Sequence, residues 1–195
     1  MTKQEQISNF INSIISIDEK ELEEFNKNAQ IENIKKGEVL VSEGKIADKL
    51  YFIHSGVFRY YLISQDGKDV TKDFAVDAQN PFCMAYSSFM TYQPSQIYIE
   101  ALTDAEVSLW NKSYIHPLLT NNLNWLQFSQ RVAMGMYIRK EKKEISLMKD
   151  LAPQRFEDFK NEFPDLIDRI PQHYIATYLN ITPESLSRIK KNYRL

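Results

Sequence analysis

IPQHYIATYLNITPESLSRIKK, residues 170–191, consists of two short apolar patterns that meet at a turn. The first pattern has the three- and four-residue spacing of one helix face. Its members are Tyr174, Ile175, Tyr178 and Leu179. The second pattern, Leu186 and Ile189, predicts another short helix. The stretch therefore predicts two helices that cross at a tight turn.

The residues between these patterns suit a helix-to-helix turn. Asn180 stands where such a turn needs a left-handed residue, a conformation that Asn tolerates best after Gly. Thr182 is a good N-cap, and Pro183 is favoured at the first helical position. The stretch therefore predicts a helix-turn-helix. Its second helix would present four polar side chains to the outside, namely Glu184, Ser185, Arg188 and Lys191.

Positive charge is concentrated at this end of the chain. From residue 170 onwards there are four cations and one anion, a net charge of +3, whereas the whole chain has −2. The cations are Arg188, Lys190, Lys191 and Arg194. A phosphate backbone would be attracted to this cluster. On pattern alone, a helical hairpin with a solvated basic end is the alternative.

The composition is that of an ordinary globular protein. The 195 residues, 43% hydrophobic and 26% charged, suffice for one large or two small domains. No apolar run approaches the ~20 residues of a membrane span, and the start MTKQEQISNF has no signal-peptide core, so a cytoplasmic location is expected. The single cysteine, Cys83, excludes an internal disulfide and is expected to be a small apolar core residue.

The N-terminal half changes from a helical to a strand-like pattern. Residues 4–17 have helical spacing, and Asp18 with Glu21 resembles the capped start of a second helix. From residue 31, short β-prone runs are broken by four of the five glycines and by the hairpin signal Asp66-Gly67. QIYIEALTDAEVSLW, residues 96–110, adds a second strand group. These runs predict a compact antiparallel roll or barrel.

Residues 121–149 predict a helix of seven or eight turns, since they contain no Pro and one Gly. One face carries Leu123, Leu126, Ala133, Tyr137 and Leu147, and another carries Trp125, Phe128, Val132 and Met136. A helix that is apolar on two faces needs two partners, which would be the roll and a second copy of the chain. We therefore expect Leu126, Ala133 and Tyr137 at a dimer interface. A helix packed only on its own domain is the alternative.

Residues 152–163 predict a further helix, which Pro164 ends.

KKGEVLVSEGKIADKLYFIHSG, residues 35–56, resembles the cyclic-nucleotide-binding β-roll, and residues 170–191 resemble the helix-turn-helix of the Crp/Fnr family of bacterial regulators. Both occur in the family's order and at its distance, so the resemblance covers essentially the whole chain. It implies an α+β fold with a double-stranded β-helix (jelly-roll) domain at 1–120, a dimerisation helix and hinge at 121–150, and a helix-turn-helix domain at 151–195. The short connections leave no room for β-hairpin wings.

The resemblance also implies a function in transcription regulation. A homodimer would bind a palindromic operator in double-stranded DNA, with RNA polymerase as a further partner. Aligned with the family, Pro183, Glu184 and Arg188 face base edges. The implied phosphate contacts are Gln172, His173, Thr182, Ser185 and Lys191.

The expected effector pocket departs from the family's nucleotide-binding pattern. Nucleotide-binding members hold the ribose with a Gly-Glu pair and the cyclic phosphate with an Arg-Ser pair. Here Ser95 and Gln96 replace Arg and Ser, residues 83–85 supply neither Gly nor Glu, and residues 139–144 form a charged run where the family contacts the base. Without the Arg, tight cyclic AMP binding is not expected. The pocket either binds a less charged ligand through Tyr86, Ser87, Ser88, Ser95 or Gln96, or binds nothing.

Motifs for catalysis are absent from the sequence. His54, His116 and His173 have no metal-ligand spacing, and no P-loop, G-x-S-x-G or H-E-x-x-H occurs. We therefore expect neither an enzyme nor a bound cofactor. The main alternative to a DNA-binding regulator is a ligand-sensing or protein-interaction module with a vestigial helix-turn-helix.

Overall fold

The computed structural model describes residues 1–77 and 79–192. Within them, eight strands form two antiparallel four-stranded sheets with the orders β1-β8-β3-β6 and β2-β7-β4-β5. The strands are β1 Gln30–Ile34, β2 Val39–Val41, β3 Lys49–Ser55, β4 Val57–Ile63, β5 Asp69–Val76, β6 Phe82–Cys83, β7 Tyr98–Ala101 and β8 Ala105–Asn111. The inner faces of both sheets enclose one apolar core. This arrangement confirms the predicted jelly-roll.

Two glycines make turns of this roll possible. Gly56 joins β3 to β4 with a φ of +118°, and a Cβ atom there would lie 2.4 Å from the Cβ of Ala105. Only glycine fits both the backbone angle and the space. Gly67, with a φ of +79°, lies in the connection between β4 and β5. The hairpin predicted from Asp66-Gly67 is therefore confirmed.

In the described part of the chain up to residue 149, five helices pack around the roll or extend from it. They are α1 Lys3–Ile14, α2 Glu19–Lys27, α3 Tyr86–Thr91, α4 Lys112–Asn121 and α5 Leu123–Lys149. Asp18 caps α2, as its sequence position predicts. The long helix begins two residues later than predicted because the Asn122 side chain accepts hydrogen bonds from the N–H groups of Asn124 and Trp125. The sequence pattern did not predict α4, which ends at Asn121.

Four helices follow, and the described residues 151–192 contain no strand. They are α6 Ala152–Glu162, α7 Leu166–Arg169, α8 Gln172–Tyr178 and α9 Pro183–Asn192. Asn180 has a φ of +54°, and the Thr182 hydroxyl accepts a hydrogen bond from the Ser185 N–H at 3.2 Å. The predicted turn chemistry of α8 and α9 is therefore confirmed. Arg194, part of the basic cluster, lies outside the described residues.

A second apolar cluster joins α6–α9 to the roll. Val57, Phe74 and Val76 point outward from β4 and β5 and are fully buried beneath these helices. The helices contribute Phe156, Phe159, Phe163, Leu166, Ile170, Ile175, Ala176, Tyr178, Leu179, Leu186 and Ile189. Strands β4 and β5 are therefore buried on both faces.

No helix of the described residues is long and apolar enough to cross a membrane.

Candidate DNA-binding surface and effector cavity

Helix α9 has one buried face and one exposed face. Leu186 and Ile189 are buried against the other helices, whereas Glu184, Arg188 and Lys191 are exposed. Thr182 and Pro183 are exposed at the start of the helix, and Ser185 is half-buried beside them. The structure thus brings the predicted α9 residues to one outer surface. We call this surface the α9 surface.

Hydrogen bonds order the start of the α9 surface. The Arg188 guanidinium donates to the Ser185 hydroxyl at 3.3 Å. The pKa of Glu184 is lowered because its carboxylate accepts from its own backbone N–H, and the Thr182 hydroxyl adds to the effect. Glu184 is therefore an ionised acceptor at neutral pH.

The two residues predicted at the start of α8 differ in their partners. His173 is exposed and lies against the ring of Tyr174. The Gln172 carboxamide oxygen accepts from the Lys190 ammonium at 2.9 Å, and its NH2 group donates to the Ile167 carbonyl at 3.2 Å. Gln172 therefore links α8 to α9, which sequence spacing did not predict.

A buried arginine fixes α8 on the outer face of the roll. Arg59 of β4 is 1% exposed, and its guanidinium donates to the two carboxylate oxygens of Asp69 at 2.6 and 2.9 Å and to Glu100 at 3.1 Å. The same guanidinium lies between the rings of Tyr61 and Tyr174, at 4.0 and 3.8 Å from their centroids. Because Tyr174 belongs to α8, Arg59 stabilises the docked helix. This role of Arg59 was not predicted, although an Arg within the apolar run VFRYYLI is a visible signal in the sequence.

Arg139 of α5 makes a second polar connection between the roll and the helices. Its guanidinium donates to the Asp73 carboxylate of β5 at 2.5 and 2.9 Å and also pairs with Glu162 of α6. Arg139 lies 5.3 Å from the ring centroid of Phe163. It thus holds β5, α5 and α6 together.

A cavity of about 800 Å³ lies between β5, the segment around α3, and α1 and α5. All five residues predicted for the effector pocket line it, namely Tyr86, Ser87, Ser88, Ser95 and Gln96. The Ser88 hydroxyl accepts from the Ala47 N–H and donates to the Gln93 carbonyl, while that of Ser95 bonds to the backbone of Ile97. These two hydroxyls therefore shape the wall, whereas Tyr86, Ser87 and Gln96 are exposed. We call this space the effector cavity.

Three cations also line the effector cavity, and only Arg139 belongs to the charged run 139–144 noted in the sequence. They are Lys72, Arg131 and Arg139, and Asp73 lies beside them. The pairing of β4 with β5 shifts register between Tyr60 and Tyr61, whose partners are Asp73 and Thr71. This irregularity lets Thr71 bond to Thr177 of α8 at 2.9 Å while Asp73 lines the cavity. The positive charge of the cavity therefore comes from β5 and α5. It does not come from the α3 segment, where the resemblance to the family led us to look for an Arg.

Helix α5 exposes an apolar stripe along its length. Tyr137 is 65% exposed and Leu126 38%, and Ala133 between them is half-buried. Met134, Ile145 and Met148 are exposed as well. Trp125 and Phe128, on the second predicted face, are buried in the core of the roll. The structure thus leaves one apolar face of α5 uncovered in the single chain.

Within the described residues, no group of three or more metal-ligating side chains occurs.

Comparison with known proteins agrees with this architecture. Residues 31–122 match the family of cyclic nucleotide-binding domains. FixK2 from Bradyrhizobium japonicum has a TM-score of 0.71 at 18% identity, over 85% of this chain and 84% of that chain. A transcriptional regulator of the Crp/Fnr family from Eubacterium rectale has a TM-score of 0.70 at 17% identity, over 91% and 84%. The chain has the Crp/Fnr fold.

A third protein with this fold extends the comparison. CLP of Xanthomonas campestris, a global regulator that responds to c-di-GMP, has a TM-score of 0.67 at 13% identity, over 91% of this chain and 92% of that one. No curated protein matches the chain in sequence. The predicted resemblance to the Crp/Fnr family is therefore confirmed at the level of the fold.

Proposed function

We propose that this protein is a transcription regulator of the Crp/Fnr type that binds a palindromic operator as a homodimer. In this proposal, residues 1–120 form the effector domain, 121–150 the dimerisation helix and hinge, and 151–195 the DNA-binding domain. The effector cavity is degenerate with respect to cyclic AMP. RNA polymerase is the further partner that a regulator of this type requires.

The observation that carries the proposal is the α9 surface. A helix with a buried apolar face and an exposed row of Glu184, Arg188 and Lys191 matches the recognition helix of a helix-turn-helix. Glu184 can accept from a cytosine amino group, and Arg188 can pair with O6 and N7 of guanine. Lys191 would lie against a phosphate.

DNA binding by two variants tests the proposal. Fragments of genomic DNA that the purified protein selects would first define the operator. Arg188→Ala should then cost about 1–3 kcal/mol on that operator and relax discrimination at one G·C pair per half-site, because it removes a base contact. Lys191→Ala should weaken binding to all sequences and lower the salt slope by about one. Fluorescence anisotropy at several salt concentrations measures both effects.

The two variants are matched controls for each other. If Arg188→Ala weakened specific and non-specific binding equally, Arg188 would contact phosphate and the docking proposed for α9 would fail. If the wild-type protein selected no DNA, the ligand-sensing module would replace the regulator.

Dimerisation is tested at the apolar stripe of α5. Ala133→Glu places a charge between Leu126 and Tyr137 and should give monomers. Lys142→Glu changes charge on the side of α5 that faces α6, so it should leave the dimer intact. Sedimentation equilibrium at micromolar concentration measures the mass. A wild-type mass near the 22.9 kDa of one chain would rule the dimer out.

A further inference from the structure

The effector cavity carries an excess of positive charge. Lys72, Arg131 and Arg139 line it together with a single carboxylate, Asp73. Asp73 is already paired with Arg139, and no ion pair among the described residues includes Lys72 or Arg131. The Arg131 guanidinium donates one hydrogen bond, to the Ile14 carbonyl at 2.8 Å. An anionic group would therefore complement the charge of the cavity.

The remaining wall of the effector cavity combines the polar side chains around α3 with an apolar part. The apolar part includes Phe10, Ile14, Phe82, Met84, Ile97, Val132 and Met136. A recess of about 60 Å³ shares Phe82, Met84 and Val132 with the cavity and continues along α5 to Phe128. At a rise of about 1.5 Å per residue, Phe128 and Arg139 are about 16 Å apart along the helix. Arg139 therefore lies at one end of this path and the apolar recess at the other, roughly the length of a twelve-carbon chain apart, and Arg131 lies towards the recess.

We propose that the effector cavity binds an elongated organic carboxylate, with its apolar chain along α5 and its carboxylate on Arg139 in place of Asp73. This proposal rests on the effector role proposed above and names the ligand class. A guanidinium binds any carboxylate in the same bidentate geometry, so the ligand can exchange with Asp73 on Arg139. Because Arg139 also pairs with Glu162, the ligand would bind to a residue that holds α6.

Calorimetry on the full-length protein with defined probes tests the ligand class. Dodecanoate, kept below its micelle concentration, should bind one molecule per chain. Hexanoate, which lacks the apolar length, and dodecanol, which lacks the charge, should each bind at least about tenfold more weakly. Equal affinity for dodecanol would show that charge does not matter and would overturn the proposal. Sub-micromolar binding of cyclic AMP would overturn it too, because the cavity would then hold a nucleotide.

Variants of the ion pair locate the carboxylate. Arg139→Gln should weaken dodecanoate binding at least about tenfold, whereas Asp73→Asn should strengthen it by removing the competing carboxylate. Lys142→Gln, which removes a cation from α5 outside the cavity, should leave the affinity unchanged.

Circular dichroism checks that each variant folds. If Arg139→Gln does not fold, Asp73→Asn decides, and unchanged or weaker binding by that variant overturns the proposal. These measurements contain no DNA, so their failure would leave DNA binding as a separate question.

Discussion

The two faces of β4 and β5 are buried in different ways. The inner face, with Phe58 and Tyr60, contributes to a core of apolar and aromatic side chains. The outer face, with Val57 and Phe74, contributes to a smaller cluster that arginines surround: Arg59 with Asp69 and Glu100, Arg139 with Asp73 and Glu162, and Arg169 with Asp77. The inner face therefore holds the roll together, while the outer face holds another part of the chain in one orientation.

This difference has an energetic meaning. Apolar burial is non-directional, whereas a planar guanidinium between two rings and two carboxylates accepts few orientations. Removing one partner from such a pair leaves a buried charge uncompensated. We therefore expect the outer face to lose its helices while the inner face stays folded. Both tryptophans, Trp110 and Trp125, belong to the inner cluster, so their fluorescence reports on the roll alone.

The largest effect is expected when Phe58 and Phe74 are each replaced by alanine. Both side chains are fully buried, but they lie on opposite faces of the sheet. Phe74→Ala should weaken the docking of α6–α9 by about 3–5 kcal/mol, because a buried aromatic side chain is lost and a cavity remains. Limited proteolysis would then cleave the helical region at urea concentrations where tryptophan fluorescence is still native. Phe58→Ala should instead lower the urea concentration at the midpoint of the tryptophan fluorescence transition. Equal shifts of the fluorescence transition in both variants would show that the two clusters unfold together.

A smaller effect is expected at Arg59. Arg59→Lys keeps the charge but loses the bidentate bond to Asp69 and the stacking on Tyr61 and Tyr174, so docking of α8 should weaken by about 2 kcal/mol. Arg169→Lys is the matched control, because the Arg169 side chain is 30% exposed against 2% for Arg59, so its pair with Asp77 should be worth less, about 1 kcal/mol. The same proteolysis experiment compares the two. Similar losses of docking free energy in both variants would mean that burial of Arg59 does not strengthen its contribution to docking.

The smallest expected effect is a pH dependence at Lys143. Its ammonium lies 3.4 Å from the Tyr178 ring centroid and donates to the Lys72 carbonyl, and burial lowers its pKa to about 8. Above pH 8 the unfolded chain therefore binds more protons than the folded one, and Lys143 makes stability rise with pH. Between pH 8 and 9, wild type should gain about 1 kcal/mol relative to Lys143→Met. Urea unfolding at both pH values measures this, and parallel pH profiles would exclude a lowered pKa.

Local chemistry made much of this protein predictable from its sequence. The turn of the helix-turn-helix was predictable because Asn180, Thr182 and Pro183 each favour one backbone conformation. The roll was predictable because its glycines and the Asp66-Gly67 signal separate short strands, and the buried and exposed faces of α9 follow from helical spacing. Each of these features depends on residues a few positions apart.

Only the tertiary structure decided which surfaces meet. Burial of Arg59 depends on Tyr174, far along the chain, and the charge of the effector cavity depends on the placing of Arg131 and Arg139 of α5 beside Lys72 of β5. Periodicity shows that a helix or strand has two faces, but it does not show what covers each face. The docking of α6–α9 on the outer face of β4 and β5 therefore lay beyond the sequence, because long-range packing and charge pairing selected that arrangement.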